Sequence, residues 1–180
     1  MDKGRKLLQF LRALVPTKLG TKIEYRIKCK RKLNLKNPKR FSEKIQLYKL
    51  NYRNSLLPKL ADKDAVRNYV KEKGLEHILN EQYGVYESVE EIDFKKLPKK
   101  FVIKLNTGSG FNMLVENKDI LDIKETKKIL NKWLKIKPWI FGAEWVYKEI
   151  KPKIDLNINR VKEILKNQKQ KLKNMISIID

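Results

Sequence analysis

The segment from Phe101 to Val115 constrains the fold of this chain more than any other. Its two ends, residues 101–105 and 113–115, are rich in apolar and β-branched residues, as strands are. Between them stands Asn106-Thr-Gly-Ser-Gly110, a loop of small residues. This order predicts two neighbouring strands joined by a glycine-rich loop, within a small antiparallel sheet.

Lys104 interrupts the otherwise apolar first strand. Side chains alternate along a strand, so Phe101 and Leu105 share one face, while Lys104 shares the other with Val102 and Asn106. An unpaired ammonium is costly to bury, so either a carboxylate or an anionic ligand must compensate it. Glycines let backbone N–H groups approach phosphate oxygens and form an anion-binding concavity. Phosphate binding and an ordinary hairpin tip therefore both remain open.

Several familiar sites are excluded by the pattern. The loop is no Walker P-loop and no dinucleotide fingerprint, because no Gly-Lys-Ser/Thr follows and a strand comes next rather than a helix. His77 and Cys29 are the only histidine and cysteine, which argues against zinc, a histidine-based triad and an internal disulfide. No metal-ligating residues are predicted. We expect a cytoplasmic protein, since no apolar stretch is long enough to span a membrane.

The formal charge of +22 is concentrated at the two ends of the chain. Residues 1–60 hold 18 Lys/Arg against 3 Asp/Glu, and residues 151–180 hold 8 against 3. The ninety residues between these ends hold 17 Lys/Arg against 15 Asp/Glu and are nearly neutral. Nucleic-acid binding is disfavoured, because no helix-turn-helix, RNP-type or zinc pattern accompanies the charge and aromatic residues are sparse in the basic segment.

Helical periodicity predicts helices before and after the hairpin. Residues 6–15 are predicted to form an amphipathic helix that either packs on the protein or lies on anionic lipid. A helix beginning at Phe41 is capped by Ser42, a second runs from Asp62 to Gly74, and Asp122 caps the last one. The apolar face of the helix at Phe41 consists of Phe41, Ile45 and Tyr48. We also predict a strand over 83–86 and one helical turn with a capping box at Ser88 and Glu91.

Five blocks in one order resemble a known family and cover residues 35–154. They are Asn37-Pro-Lys-Arg-Phe-Ser-Glu-Lys-Ile-Gln46, Leu60-Ala-Asp-Lys-Asp-Ala-Val-Arg67, Tyr83-Gly-Val85, Phe101-Val-Ile-Lys-Leu-Asn-Thr-Gly-Ser-Gly110 and Glu144-Trp-Val-Tyr-Lys148. The family is the TupA-like ATP-grasp proteins of cell-envelope and capsular polysaccharide biosynthesis, whose members are often labelled glycosyltransferases. The resemblance implies an ATP-dependent ligase or a glycosyltransferase, with nucleotide held between two α+β lobes.

The resemblance also implies roles for six residues in binding ATP. Lys104 would contact the α- and β-phosphates, and Gly108, Ser109 and Gly110 would form a flexible flap over the triphosphate. Asn106 belongs to the same block, and Lys63 lies in the early Asp-Lys block. Thr107 stands where many relatives carry histidine.

The end of the chain departs from the family pattern. Later segments of the family would supply the residues that grip adenine and bind magnesium, whereas residues 155–180 offer Asp155, Glu163 and Asp180 as their only acids. We therefore expect a C-terminally truncated protein with ATP binding that is weak or partial. The predicted segments are a basic helix and loop over 1–40, a partial ATP-grasp region over 41–154, and a divergent basic helical tail over 155–180. The fold class is α+β, with N-terminal helices and a small antiparallel sheet in an incomplete ATP-grasp fold.

An alternative hypothesis gives the basic first sixty residues the main role. The protein would then be a non-catalytic adaptor that holds an anionic membrane surface or an acidic polysaccharide precursor, peripheral at the inner membrane face. Self-association through the truncated lobe interface is a further expectation, because that surface would lack its partner.

Overall fold

The computed structural model describes residues 15–140 and 144–158. The α-helices are α1 (Thr17–Cys29), α2 (Phe41–Asn51), α3 (Leu56–Ala61), α4 (Ala65–Glu72) and α5 (Ile123–Leu134). The strands are β1 (Gln82–Tyr86), β2 (Phe101–Leu105), β3 (Asn112–Val115) and β4 (Ile154–Ile158). The chain divides into two compact units. Among the described residues, the first unit holds 15–76, 106–110, 135–140 and 144–152, and the second holds 77–105, 111–134 and 153–158.

The second unit is built on a four-stranded antiparallel sheet with the order β1-β4-β2-β3. This confirms the predicted α+β class, with helices and a small antiparallel sheet that includes the Lys104 strand. Strand β2 is central, with Phe101 opposite Val115 of β3 on one side and Ile158 of β4 on the other. Both predicted strands of the hairpin and the predicted strand at 83–86 are present.

The core of this unit lies on the face of the sheet that carries the odd-numbered residues of β2. Phe101, Ile103 and Leu105 are fully buried there, as the alternation predicts. Ile154 and Leu156 of β4 extend the same apolar surface. Each such side chain stabilises the fold by roughly 1.5–3 kcal/mol relative to its exposed state. The buried face thus fixes the register of the central strands.

Helix α5 covers this core. Its buried residue Leu130 belongs to the core, and the Trp133 ring meets Phe111 edge to face with centroids 6.1 Å apart. The predicted cap is confirmed, because Asp122 Oδ1 accepts a hydrogen bond from the Glu125 N–H at 2.9 Å. The tryptophan therefore serves packing.

The first unit differs from the prediction at the start of α2. Ser42 was expected to cap the helix, but its hydroxyl hydrogen-bonds the Tyr25 hydroxyl at 2.8 Å, which ties α1 to α2. The cap position belongs to Arg40, and Glu43 Oε2 accepts the N–H groups of Lys39 and Arg40, each at 3.0 Å. The Arg40 N–H bond, more than any other influence, holds the pKa of Glu43 below its ordinary value.

Two further predictions for the helices are wrong. The expected apolar face of α2 does not form a buried surface, and Phe41 is 79% exposed. Helix α4 begins at Ala65 rather than at Asp62, because Asp62 Oδ1 accepts the N–H of Asp64 in a turn that precedes the helix. The end of that helix agrees with the sequence, since Gly74 adopts a φ of 71°.

The turn at Ser88 forms as a short 3₁₀ segment, Val89–Glu91, in which Ser88 accepts the N–H of Glu90. Helix α1 falls in a basic stretch for which no helix was predicted. Residues 154–158, expected to lead into a helical tail, form strand β4. The predicted helix over 6–15 and the remainder of the tail lie outside the described residues. Among residues 15–140 and 144–158, no helix combines the length and apolar character needed to cross a bilayer.

Candidate phosphate-binding loop

The loop Asn106–Gly110 follows strand β2 directly and precedes β3. Gly108 and Gly110 have φ values of 70° and 81°, in the left-handed region that residues with a Cβ rarely adopt. Ser109 and Gly110 are exposed, whereas Asn106, Thr107 and Gly108 are buried. The loop thus has a fixed base and an open tip.

Asn106 anchors the base of the loop. Its side chain is fully buried, and its amide donates hydrogen bonds to Asp62 Oδ1 and to the Lys151 carbonyl, both at 3.0 Å. Both hydrogens of the amide are therefore used within the protein. This residue, which the resemblance placed at the nucleotide, holds the loop in position through groups distant in sequence.

Lys63 holds the loop from the same side. Its backbone N–H donates to the Asn106 carbonyl at 3.0 Å. Its Nζ donates to the Gly108 carbonyl at 2.7 Å and to the Asn106 carbonyl at 3.3 Å. A lysine that binds carbonyl oxygens turns them toward itself, and the N–H groups of the same peptides point the opposite way. Lys63 thereby orients the backbone donors of the loop.

The loop retains polar groups without partners. The Thr107 hydroxyl is buried and forms no hydrogen bond with any described residue. Likewise, the structure records no hydrogen bond from the N–H groups of Ser109 or Gly110 to the parts of the chain that it describes. A buried unsatisfied hydroxyl costs about 1–3 kcal/mol. Ser109 and Gly110 are exposed, so an oxygen-rich anion such as phosphate could accept from their N–H groups, whereas Thr107 is fully buried.

Lys104 lies half-buried in β2, on the sheet face opposite the core. Its register partners are Asn112 of β3 and Asp155 of β4. Asp155 is 3% exposed and accepts a hydrogen bond from Gln82 Nε2 at 2.8 Å. No ion pair joins Lys104 to any described carboxylate within 4.0 Å. The ammonium therefore remains available to an anion, with a carboxylate in the neighbouring strand.

This polar face also contains Asn157, which lies opposite Val102 and is 4% exposed. Its Nδ2 is buried without a partner among the described residues. No local pattern predicted Asp155 and Asn157 as neighbours of Lys104, because residues 155–180 were expected to form a helical tail. Strand pairing brings them together.

Within 15–140 and 144–158, no group of three His, Cys, Asp or Glu side chains is placed to hold a metal. Magnesium that accompanies a nucleotide is usually held by one or two carboxylates together with the phosphates.

Other residues named by the sequence lie elsewhere. His77 is exposed in the short turn Glu76–Ile78. Trp145 stacks under the Arg53 guanidinium at 4.7 Å from the ring centroid, and Glu144 pairs with Lys49 at 3.3 Å. Within the block at 144–148, Trp145 and Glu144 thus make contacts inside the protein.

A family model described as TupA-like ATPgrasp matches residues 43–175 of the chain. The match includes the loop, strand β2 and the segment that contains Lys63. It also continues beyond residue 154, the last residue of the stretch over which the sequence resemblance was predicted. Neither the search of curated proteins nor that of solved structures finds a match.

Proposed function

Since the chain belongs to the TupA-like ATP-grasp family, we propose that the loop Asn106–Gly110 binds the phosphates of ATP. The family and the α+β fold are consistent with a partial ATP-grasp domain, and the family implies ATP as ligand. The wider role in this proposal is a step in the biosynthesis of cell-surface polysaccharide, as the sequence resemblance implies.

The observation that carries the proposal is the anchoring of the loop from its base. Asn106 and Lys63 use their side chains on protein groups, which leaves the exposed N–H groups at Ser109 and Gly110 free of described partners. Preorganised donors bind an anion without a further ordering cost. Free backbone donors at an open tip are what a glycine flap over phosphate requires.

Lys104, which lies in the second unit, enters the proposal through the family resemblance alone. Its ammonium has no ion-pair partner within the described residues, and it precedes the loop by one residue of strand. A lysine binds phosphate as a point charge. The expected role is to neutralise the α- and β-phosphates, as the family resemblance implies.

The test is calorimetric titration of ATP, with and without magnesium, into the wild-type chain and Gly110→Ala. Gly110 and Gly74 make a matched pair, because both have positive φ and a Cβ would meet no atom within 4 Å at either position. Each alanine therefore introduces the same backbone strain, of order 1–2 kcal/mol. We expect Gly110→Ala to weaken ATP binding about tenfold and Gly74→Ala to leave it unchanged.

Lys104→Met tests the charge separately, with the exposed Lys100→Met as control. Removing a phosphate contact by lysine is expected to weaken binding by about tenfold or more. Equal affinities for Lys104→Met and Lys100→Met would remove Lys104 from the site. Flat titrations of the wild-type chain under both conditions would refute ATP binding by this chain.

A further inference from the structure

Helix α1 (Thr17–Cys29) presents apolar side chains to solvent. Leu19, Ile23 and Ile27 follow one another at intervals of four and form one stripe, the outer stripe. They are 52%, 48% and 64% exposed, respectively. The buried residues of the helix, Thr21 and Tyr25 among them, lie on another side. The most apolar face of α1 therefore points away from the unit that carries it.

A row of cations runs beside the outer stripe. Lys18, Lys22 and Arg26 each precede one residue of the stripe, so they repeat at the same helical spacing, and all three are exposed. Residues 15–36 contain eight Lys/Arg and one acid. That acid, Glu24, is already paired with Lys28 at 2.6 Å. The positive charge beside the stripe is thus nearly uncompensated.

A groove extends this surface beyond the helix. It is an open, mainly apolar depression of about 510 Å³ with Leu33 at its base. Its walls are Lys22, Ile23, Arg26, Ile27 and Lys32. A neighbouring depression of about 520 Å³ adds Lys18 and Lys36 to the rim. Apolar floor and cationic rim repeat the pattern of the helix.

We propose that the outer stripe and its cationic row dock on an anionic lipid bilayer. Anionic headgroups would meet the lysines and Arg26, while the three aliphatic side chains enter the acyl boundary. A nucleic acid could pair with the same charges. The stripe contains no aromatic ring, however, so the bases of a nucleic acid would have nothing to stack on. A second copy of the stripe would bring like charges together. Charge complementarity together with the apolar stripe favours the bilayer, and this inference is independent of ATP binding.

The experiment is co-sedimentation of the full chain with vesicles of equal parts phosphatidylglycerol and phosphatidylcholine, and with pure phosphatidylcholine. We expect binding to the mixed vesicles alone, and binding that falls with salt. Leu19→Gln/Ile23→Gln/Ile27→Gln leaves every charge in place and is expected to lower the partition coefficient by about a hundredfold or more. The control Ile78→Gln/Ile120→Gln removes two isoleucines that are 60% and 83% exposed elsewhere, and should bind as wild type does.

A charge variant completes the test. Lys22→Gln/Arg26→Gln should lower the partition coefficient by about thirtyfold, since each cation near an anionic surface contributes about fivefold. Its control is Lys124→Gln/Lys132→Gln on α5, both exposed. Circular dichroism checks that each variant is folded.

Three results would overturn the proposal. One is equal binding to neutral vesicles. Another is undiminished binding by the folded triple variant. The third is a wild-type dimer in gel filtration that the triple variant abolishes without any lipid binding, because the stripe would then join two copies of the chain.

Discussion

Asn106→Ala tests the anchoring of the loop most directly. The substitution removes the hydrogen bond to the Asp62 carboxylate and the one to the Lys151 carbonyl, both 3.0 Å long. A bond to a charged group contributes about 1.5–3 kcal/mol and a neutral one about 0.5–1.5 kcal/mol. Because the Asn106 side chain is fully buried, water cannot readily replace the two lost hydrogen bonds. We expect the free energy of unfolding to fall by about 3 kcal/mol.

The assay is urea unfolding followed by far-UV circular dichroism. With m-values of about 1–3 kcal/mol/M, a loss of about 3 kcal/mol should move the midpoint down by roughly 1–3 M. Asn68→Ala is the control, because Asn68 is exposed on α4, where alanine is the better helix former. Its midpoint should stay the same or rise slightly.

Asn106→Asp separates hydrogen bonding from volume. The aspartate has nearly the same size but places a second carboxylate against Asp62, so we expect a larger loss of stability at neutral pH than at acidic pH. A loss below about 1 kcal/mol for Asn106→Ala, with no pH dependence for Asn106→Asp, would refute the anchoring role.

Three further predictions concern other parts of the fold. Ile103→Ala empties a fully buried site and should lower the free energy of unfolding by about 2–5 kcal/mol in urea titrations. Leu114 is 45% exposed, so Leu114→Ala should change the free energy of unfolding far less. Equal losses for the two variants would contradict the core face assigned to β2. Because the pKa of Glu43 is lower in the folded state, its contribution is present above the unfolded value of 4.5 and is lost as pH falls toward the folded pKa. Glu43→Gln should therefore lower the melting temperature at pH 7 and converge with wild type in acid, and parallel melting curves across pH would contradict this. Lys63→Met removes the hydrogen bonds to the Gly108 and Asn106 carbonyls, so it should both weaken ATP binding and lower the melting temperature. Weaker binding with an unchanged melting temperature would instead indicate that Lys63 contacts the nucleotide directly.

The hairpin is the part of this protein that local sequence determines. The alternation of side chains in residues 101–105 decides which of them face the core. The two glycines of the loop decide the turn, because they adopt a positive φ. The family assignment depends on the same kind of local blocks, and the match over 43–175 agrees with it. The cap of α5 at Asp122 and the C′ position of Gly74 were predictable for the same reason.

The helices of the first unit were less predictable, because tertiary contacts overrode local signals. Ser42 is a good capping residue, yet its hydroxyl bonds Tyr25, and the cap position belongs to Arg40, whose N–H donates to the Glu43 carboxylate. The outward direction of Leu19, Ile23 and Ile27 could not be read from their spacing, which shows only that they share a face. Which face is buried depends on what the helix packs against.

By itself, the sequence determined the hairpin, the α+β class and the family of this protein, because each depends on residues close together in the chain. Tertiary structure alone decided which groups the candidate site residues contact. Asn106 reaches partners 44 and 45 positions away, and Lys63 reaches carbonyls 43 and 45 positions away. Lys104 faces Asp155 only because β4 pairs with β2. A side chain's role follows from the groups within hydrogen-bonding distance, and in this loop those groups come together only when the chain folds.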